Sequence, residues 1–149
     1  MENMKFDIDI NATKEKVWKA LWEDASYRKW TSAFNEGSYA VTDNWKQGSK
    51  VLFLDAKGCG MVSLVTENRP NEYMSFEHVG EVQDGIEDTT SDKIKQWSGT
   101  TENYTLTETG SGTHVHVEMA GNLSRDFVEY FLNTCPKALN KLKEVAEVD

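Results

Sequence analysis

From Met4 to Ile10 the chain reads "MKFDIDI", with Phe6, Ile8 and Ile10 alternating against Lys5, Asp7 and Asp9. A period of two predicts a strand with one dry face and one wet face. The period then lengthens. In "NATKEKVWKALW", Val17, Trp18, Ala20 and Leu21 fall on one helical stripe, Thr13 is placed to cap the first turn and Glu15 sits at its positive end. This predicts a short helix from about Thr13 to Trp22. A second helical piece is expected through "DASYRKWTSAF", where Tyr27, Trp30 and Phe34 recur three to four residues apart. From Glu36 the period returns to two, predicting strands over 37–44, 49–55, 60–67, 73–79, 97–108 and 113–121. Between several of them lie "KQG", "AKGCG", "NRPNE" and "TGSG", rich in the residues that make hairpin turns. The polar stretch 80–96, "GEVQDGIEDTTSDKIKQ", reads as a long mobile loop.

Over 125–148 the helical period is back. Phe127, Phe131, Cys135, Ala138, Leu139, Leu142 and Val145 mark one face, opposite Lys137, Lys141, Lys143 and Glu144. Ser124 is a ready N-cap, Asp126 suits the first turn, and Pro136 predicts a kink because its ring crowds the carbonyl of residue 132. At its full length this helix reaches roughly 35 Å, enough to span a strand of eight residues. It is the only element able to cover the dry face of so large a sheet. The expected fold is therefore α+β: a curved antiparallel sheet of about seven strands around the carboxyl-terminal helix, in one domain over 1–149. Such a groove often leaves a cavity between helix and sheet.

Charge narrows the partners. Acidic residues number 25 against 16 basic ones, giving a formal net charge of −9, and Lys and Arg form no stripe, which argues against nucleic acid. No apolar run resembles a signal peptide or membrane span, and a soluble cytoplasmic protein is expected. Cys59 and Cys135 form no CxxC pair; both are expected reduced, Cys135 as a small buried hydrophobe.

Taken together, "INATKEKVWKALW", Gly48, "TENRPNEYMSFEHVG", Trp97 with Tyr104, "GTHVHV" and "FLNTCPKALNKLKEVAE" resemble the START-like, or birch-pollen-allergen-like, helix-grip superfamily. Within it they look most similar to bacterial proteins related to the carboxyl-terminal domain of the activator of the ninety-kilodalton heat-shock chaperone's ATPase. The resemblance implies the helix-grip fold. It does not choose a function, because the superfamily includes lipid and hormone carriers, polyketide cyclases and co-chaperones.

Four features carry candidate chemistry. His114, His116 and Glu118 alternate on one strand, which looks like the start of a metal site; their neighbours Val115, Val117 and Met119 must face the core, so the imidazoles are expected in water and no metal or other cofactor is expected. His78 shares a face with Met74 and Phe76, which points it inward as a hydrogen-bonded core or pocket residue. Glu102 shares a face with Tyr104 and Leu106; the simpler expectation is a solvated Glu102 with Tyr104 at a strand end, the sharper one a partly buried general base. Trp97 and Tyr104 stand an odd number of positions apart, so both cannot face inward without a bulge. Finally, Trp30, Phe34, Phe53, Phe127 and Phe131 are expected to cluster at one end of the groove, joining Phe76, His78 and Tyr104 as contacts to a small apolar or aromatic molecule. The 80–96 segment could cover the mouth, and its "DGIED" lacks the spacing of a calcium loop. No nucleophile elbow, P-loop, dinucleotide fingerprint or HExxH occurs. Three functions follow in order: a binding module for an apolar ligand, an interaction protein acting on a chaperone ATPase, and a cyclase-type enzyme using His78 or Glu102.

Overall fold

The alternating segments pair into one antiparallel sheet. The computed structural model describes residues 2–148. In chain order they form β1 (Glu2–Ile10), α1 (Lys14–Trp22), α2 (Asp24–Thr31), β2 (Tyr39–Thr42), β3 (Lys50–Leu54), β4 (Gly60–Arg69), β5 (Tyr73–Gln83), β6 (Ile86–Asp88), α3 (Asp92–Lys95), β7 (Thr100–Glu108), β8 (Thr113–Gly121) and α4 (Arg125–Glu147). The strands lie in the order β1-β8-β7-β5-β4-β3-β2, with β6 added to β5. This is the helix-grip architecture: a curved sheet, two short helices after the first strand, and α4 packed against β1, α1 and α2.

The helices begin where side chains satisfy free amides. Thr13 Oγ1 accepts from Lys16 N at 3.2 Å and Ser124 Oγ from Phe127 N at 3.2 Å. Proline does not break α4; the 23-residue helix runs through Pro136, and Leu132, whose carbonyl the ring crowds, is itself exposed. The inner stripe of α4, including Phe131, Cys135, Ala138, Leu139 and Leu142, is buried in one core with Val115, Val117 and Met119 of β8. No helix among the described residues is long and apolar enough to cross a membrane.

The segment 80–96 departs from expectation. Rather than a loop, it completes β5, turns through Asp84 and Gly85 (φ 52° and 79°), forms β6, and ends in the one-turn α3 capped by Ser91. An Asp-Gly pair with positive φ at both positions is the turn that closes a tight hairpin, and Gln83 pairs with Ile86 across it. That turn supplies the eighth strand. Trp97 likewise leaves the strand in which it was expected: β7 starts at Thr100, and Trp97 belongs to the turn after α3. Its parity conflict with Tyr104 therefore disappears.

Two bulges redirect side chains between β4 and β5. Val79 and Thr66 are the extra residues, at the register shifts between Val62 and Ser63 and between Val65 and Glu67. Before the Val79 bulge, Ser63 opposes His78 and Val65 opposes Phe76. Beyond it the facing of β5 reverses while that of β4 continues. Glu81 comes to the side that Met61 shares with Ser63, while Val62 and Val82 join Leu54, Leu52, Tyr39 and Val79 in a separate small core.

On the convex face, β1 and β8 pair Asp7 with His116 and Asp9 with His114. His114 bridges both aspartates, at 2.7 Å to Asp9 and 2.8 Å to Asp7, and His116 Nδ1 lies 2.7 Å from Asp7. The imidazoles thus face outward, as the valine alternation requires, and lace two strands together; Glu118 is 3.5 Å from His116. Hydrogen bonds to Asp9 and then Asp7 raise His114 above its ordinary 6.5. Those from His116 and then His114 lower Asp7 below 3.8. A raised histidine contributes stability that is complete below its unfolded value and lost as pH climbs through the folded one; a lowered aspartate contributes stability above its unfolded value that is lost as pH falls through the folded one. His114→Gln is therefore expected to flatten the decline in stability above pH about 6.5 and to cost less than about 1 kcal/mol at lower pH, since solvent screens the cluster. Urea midpoints of both proteins at mildly acidic and mildly basic pH measure this, and parallel pH profiles would refute it.

Candidate functional site

Between α4, α2 and the sheet lies a recess of about 180 Å³. Trp30 and Phe34 reach it from α2 and the turn that follows, Phe53 from β3, Phe76 and His78 from β5, Tyr104 from β7, and Phe127 and Phe131 from α4. The structure thus brings together all eight residues singled out in the sequence. Their rings pack edge-on and stacked: Phe53 against Phe76 at 5.2 Å between centroids, Phe34 against Phe131 at 5.3 Å, and Phe53 against the His78 ring at 6.0 Å. Trp30 is pinned by its Nε1–H donating to the carbonyl of Leu21 at 3.1 Å.

Sequence reasoning left other walls unassigned to the site. Trp22, Tyr27, Met119 and Tyr130 line the same recess, and Asn35, Ser38, Asp55 and Cys59 complete it at the α2–β2 and β3–β4 connections. Tyr27 lay on the helical stripe that located Trp30, and Met119 on the inward face of β8, so those two carried a signal. Trp22 Nε1 is buried without a hydrogen-bond partner among the described residues, a donor that a ligand or water would satisfy.

One polar chain crosses this apolar face. Ser63 Oγ lies 2.6 Å from His78 Nδ1, His78 Nε2 lies 2.9 Å from Glu102 Oε1, and the Tyr104 hydroxyl donates to Glu102 Oε2 at 2.5 Å. A carboxylate only accepts, so the His78 Nε2–H donates to Glu102, and the Ser63 hydroxyl, which can donate or accept, completes the chain at Nδ1. His78 is 2% exposed and Glu102 15%. The expectation of a solvated Glu102 and a terminal Tyr104 is corrected: Tyr104 is in the middle of β7, and pairing of Phe76 with Glu102 and of Met74 with Tyr104 holds both in the core side of the sheet. The field of this carboxylate reaches its neighbours. Burial first, then the negative charge of Glu102, pushes the Tyr27 and Tyr104 hydroxyls and the Cys135 thiol well above their ordinary ranges.

A second recess of about 470 Å³ continues past Met61, Met119 and Phe127, which line both, to Glu81, Trp97 and Asn122. The 80–96 segment meets it through Glu81 and Gln96, and Lys93 pairs with Glu81 at 2.7 Å. A wider cleft of about 710 Å³ lies outside α1 and α2, but charged Glu15, Lys19, Glu23 and Asp24 ring it and no buried carboxylate or histidine lines it. Among the described residues no group of three or more His, Cys, Asp or Glu side chains is arranged to hold a metal ion.

A sheet that grips a long helix over an aromatic recess, with one internal carboxylate, defines a START-like helix-grip protein. The chain belongs to the family described as Activator of Hsp90 ATPase homolog 1-like protein, whose model matches residues 11–147. No curated protein matches it. Among solved structures, a protein from Mesorhizobium loti is similar over 97% of this chain and 96% of its own, with a TM-score of 0.74 at 19% identity. The Aha1 dimer from Colwellia psychrerythraea matches over 99% and 98%, with a TM-score of 0.75 at 23% identity. At these identities the likeness is one of fold.

Replacing His78 by Leu would strand a buried hydroxyl on Ser63 and remove one donor from Glu102. The expected loss is about 2–3 kcal/mol, with about 1 kcal/mol for Ser63→Ala. Urea denaturation reads both, and a loss under about 0.5 kcal/mol for His78→Leu would show that the chain of bonds is not made in solution.

Proposed function

We propose that this protein is a binding module that holds a small, largely apolar molecule in the recess between α4 and the concave sheet. The observation that carries this reading is the aromatic lining around about 180 Å³, into which the hydrogen-bonded chain of His78, Glu102 and Tyr104 is set. Apolar surroundings with a few convergent polar groups suit a ligand that is buried by its body and oriented by one end. Size narrows the class: an apolar cavity of about 150 Å³ takes up benzene, so the inner chamber accepts one ring and a short chain, with the outer recess left for any remainder.

Binding ranks above cyclase-type catalysis because both ring nitrogens of His78 are already engaged, by Ser63 and Glu102. The hydroxyl that the imidazole could deprotonate, that of Ser63, is fully buried and does not line the recess, so no substrate there would reach it. The family description favours a second reading, an interaction protein that stimulates a chaperone ATPase. The two are separable. Purified protein is expected to gain thermal stability with single-ring aromatics such as phenol or indole, approaching about 2.7 kcal/mol at a hundredfold excess over Kd, with the Trp30 indole resonance shifting in parallel. Absence of any shift across such a panel, together with stimulation of the host chaperone's ATPase, would exchange the first reading for the second.

A further inference from the structure

The binding reading leaves the ligand's polar end unspecified, and the charge pattern of the recess supplies it. Its lining contains two carboxylates, Glu102 and Asp55, and neither Lys nor Arg. Asp55 is occupied with its own turn, accepting from the amides of Lys57 at 2.8 Å and Cys59 at 3.1 Å. Glu102 is different: it has one donor on each oxygen, His78 and Tyr104, and neither Lys nor Arg beside it. A carboxylate has about four lone-pair sites, so two donors leave acceptor capacity on both oxygens. In the second recess the one carboxylate of the lining, Glu81, is already paired with Lys93 at 2.7 Å, which leaves Glu102 as the carboxylate without a Lys or Arg partner.

Aromatic faces reinforce the sign. Ring faces carry the negative end of a quadrupole and attract cations within about 6 Å. Phe53, Phe76, Tyr27, Trp30 and Trp22 crowd the same chamber as Glu102. Burial is the main cause of the raised hydroxyls of Tyr27 and Tyr104 and the raised thiol of Cys135, and the charge of Glu102 adds to it on three separate elements. An anionic ligand would meet repulsion from Glu102, whereas a buried charge is tolerated once it is paired and hydrogen-bonded.

Resting on the binding reading above, we infer that the recess selects a protonated amine carried on a single apolar ring or short chain, with Glu102 as the counter-ion and the surrounding rings as the cage. His78 and Tyr104 act as positioning residues: each holds one carboxylate oxygen, and Ser63 holds the other nitrogen of His78. The carboxylate is thereby held in place before the ligand arrives, which lowers the ordering cost of binding.

The test uses three probes of matched size on the intact protein, 2-phenylethylamine, 2-phenylethanol and phenylacetate, followed by calorimetry and by the side-chain carboxyl ¹³C resonance of Glu102. Wild type is expected to bind the amine about tenfold or more tightly than the alcohol and to reject the acid, with the Glu102 resonance moving only for the amine. Glu102→Gln should bring amine and alcohol to within about twofold of each other. If that variant fails to fold, the wild-type carboxyl resonance reads the same contact without a substitution. Equal binding of amine and alcohol by wild type, or tighter binding of the acid, would overturn the amine assignment and leave the binding module standing. Binding of none of the three, with no shift of the cavity aromatics, would overturn both.

Discussion

Everything in this molecule is arranged around covering the concave side of one twisted sheet. A strand such as β8 buries every second residue, and Val115, Val117 and Met119 would face water without α4. α4 supplies the cover with a stripe of Phe131, Cys135, Ala138, Leu139 and Leu142, but it lies over β1 and the short helices and leaves the β3–β5 side of the groove without a helix above it. That side is filled instead by rings from α1, α2 and the loop after β2, with Trp22, Tyr27 and Trp45 packed against Phe53 and Phe76. Rigid flat rings meeting edge-on leave gaps that branched aliphatic side chains would close, and the recess is such a gap.

The polar chain through this region is a consequence of register as much as of composition. Glu102 pairs with Phe76 across β5 and β7, while Ser63 reaches His78 across β4 and β5 only because Val79 bulges out one position further along. Removing the bulge would turn one of the two strands over and separate Ser63 from His78. Burying a histidine, a carboxylate, a serine and a tyrosine in a core has a desolvation cost, met here by bonds that engage each side chain in turn. An all-apolar version of this face would be at least as stable. Stability alone does not account for the chain, which is why the proposed reading gives its carboxylate the part of recognising a complementary group.

Most of the fold was legible in the sequence because most of it is governed by period. The switch from two to 3.6 located α1 and α4, and the valines of "GTHVHV" placed His114 and His116 outside. The eight recess residues were legible for a related reason: each is a large side chain on the inward parity of its element. What escaped was set by non-local or competing signals. The polar composition of 80–96 masked the Asp84–Gly85 turn, a sharper local signal than the charge around it. Including Trp97 in β7 gave that strand conflicting parities, so Glu102 could be assigned to either face; its position was decided only when α3 took Trp97 out of the strand. The partnership of Ser63 with His78 depends on a bulge that no residue of β4 or β5 announces.

The size of the recess and its chemistry bear on one another. A carrier for large lipids needs a groove that stays open along the helix, with selectivity spread over many weak apolar contacts. Here the inner chamber is about 180 Å³, the volume of one ring and a short chain, and Met61, Met119 and Phe127 stand in the walls of both recesses. In so small a chamber one polar contact is a large share of the total interaction, because few atoms are available to contribute. Discrimination then falls on whether the ligand's donor meets Glu102, since a buried carboxylate left facing an apolar or anionic group costs more than a mismatched methyl.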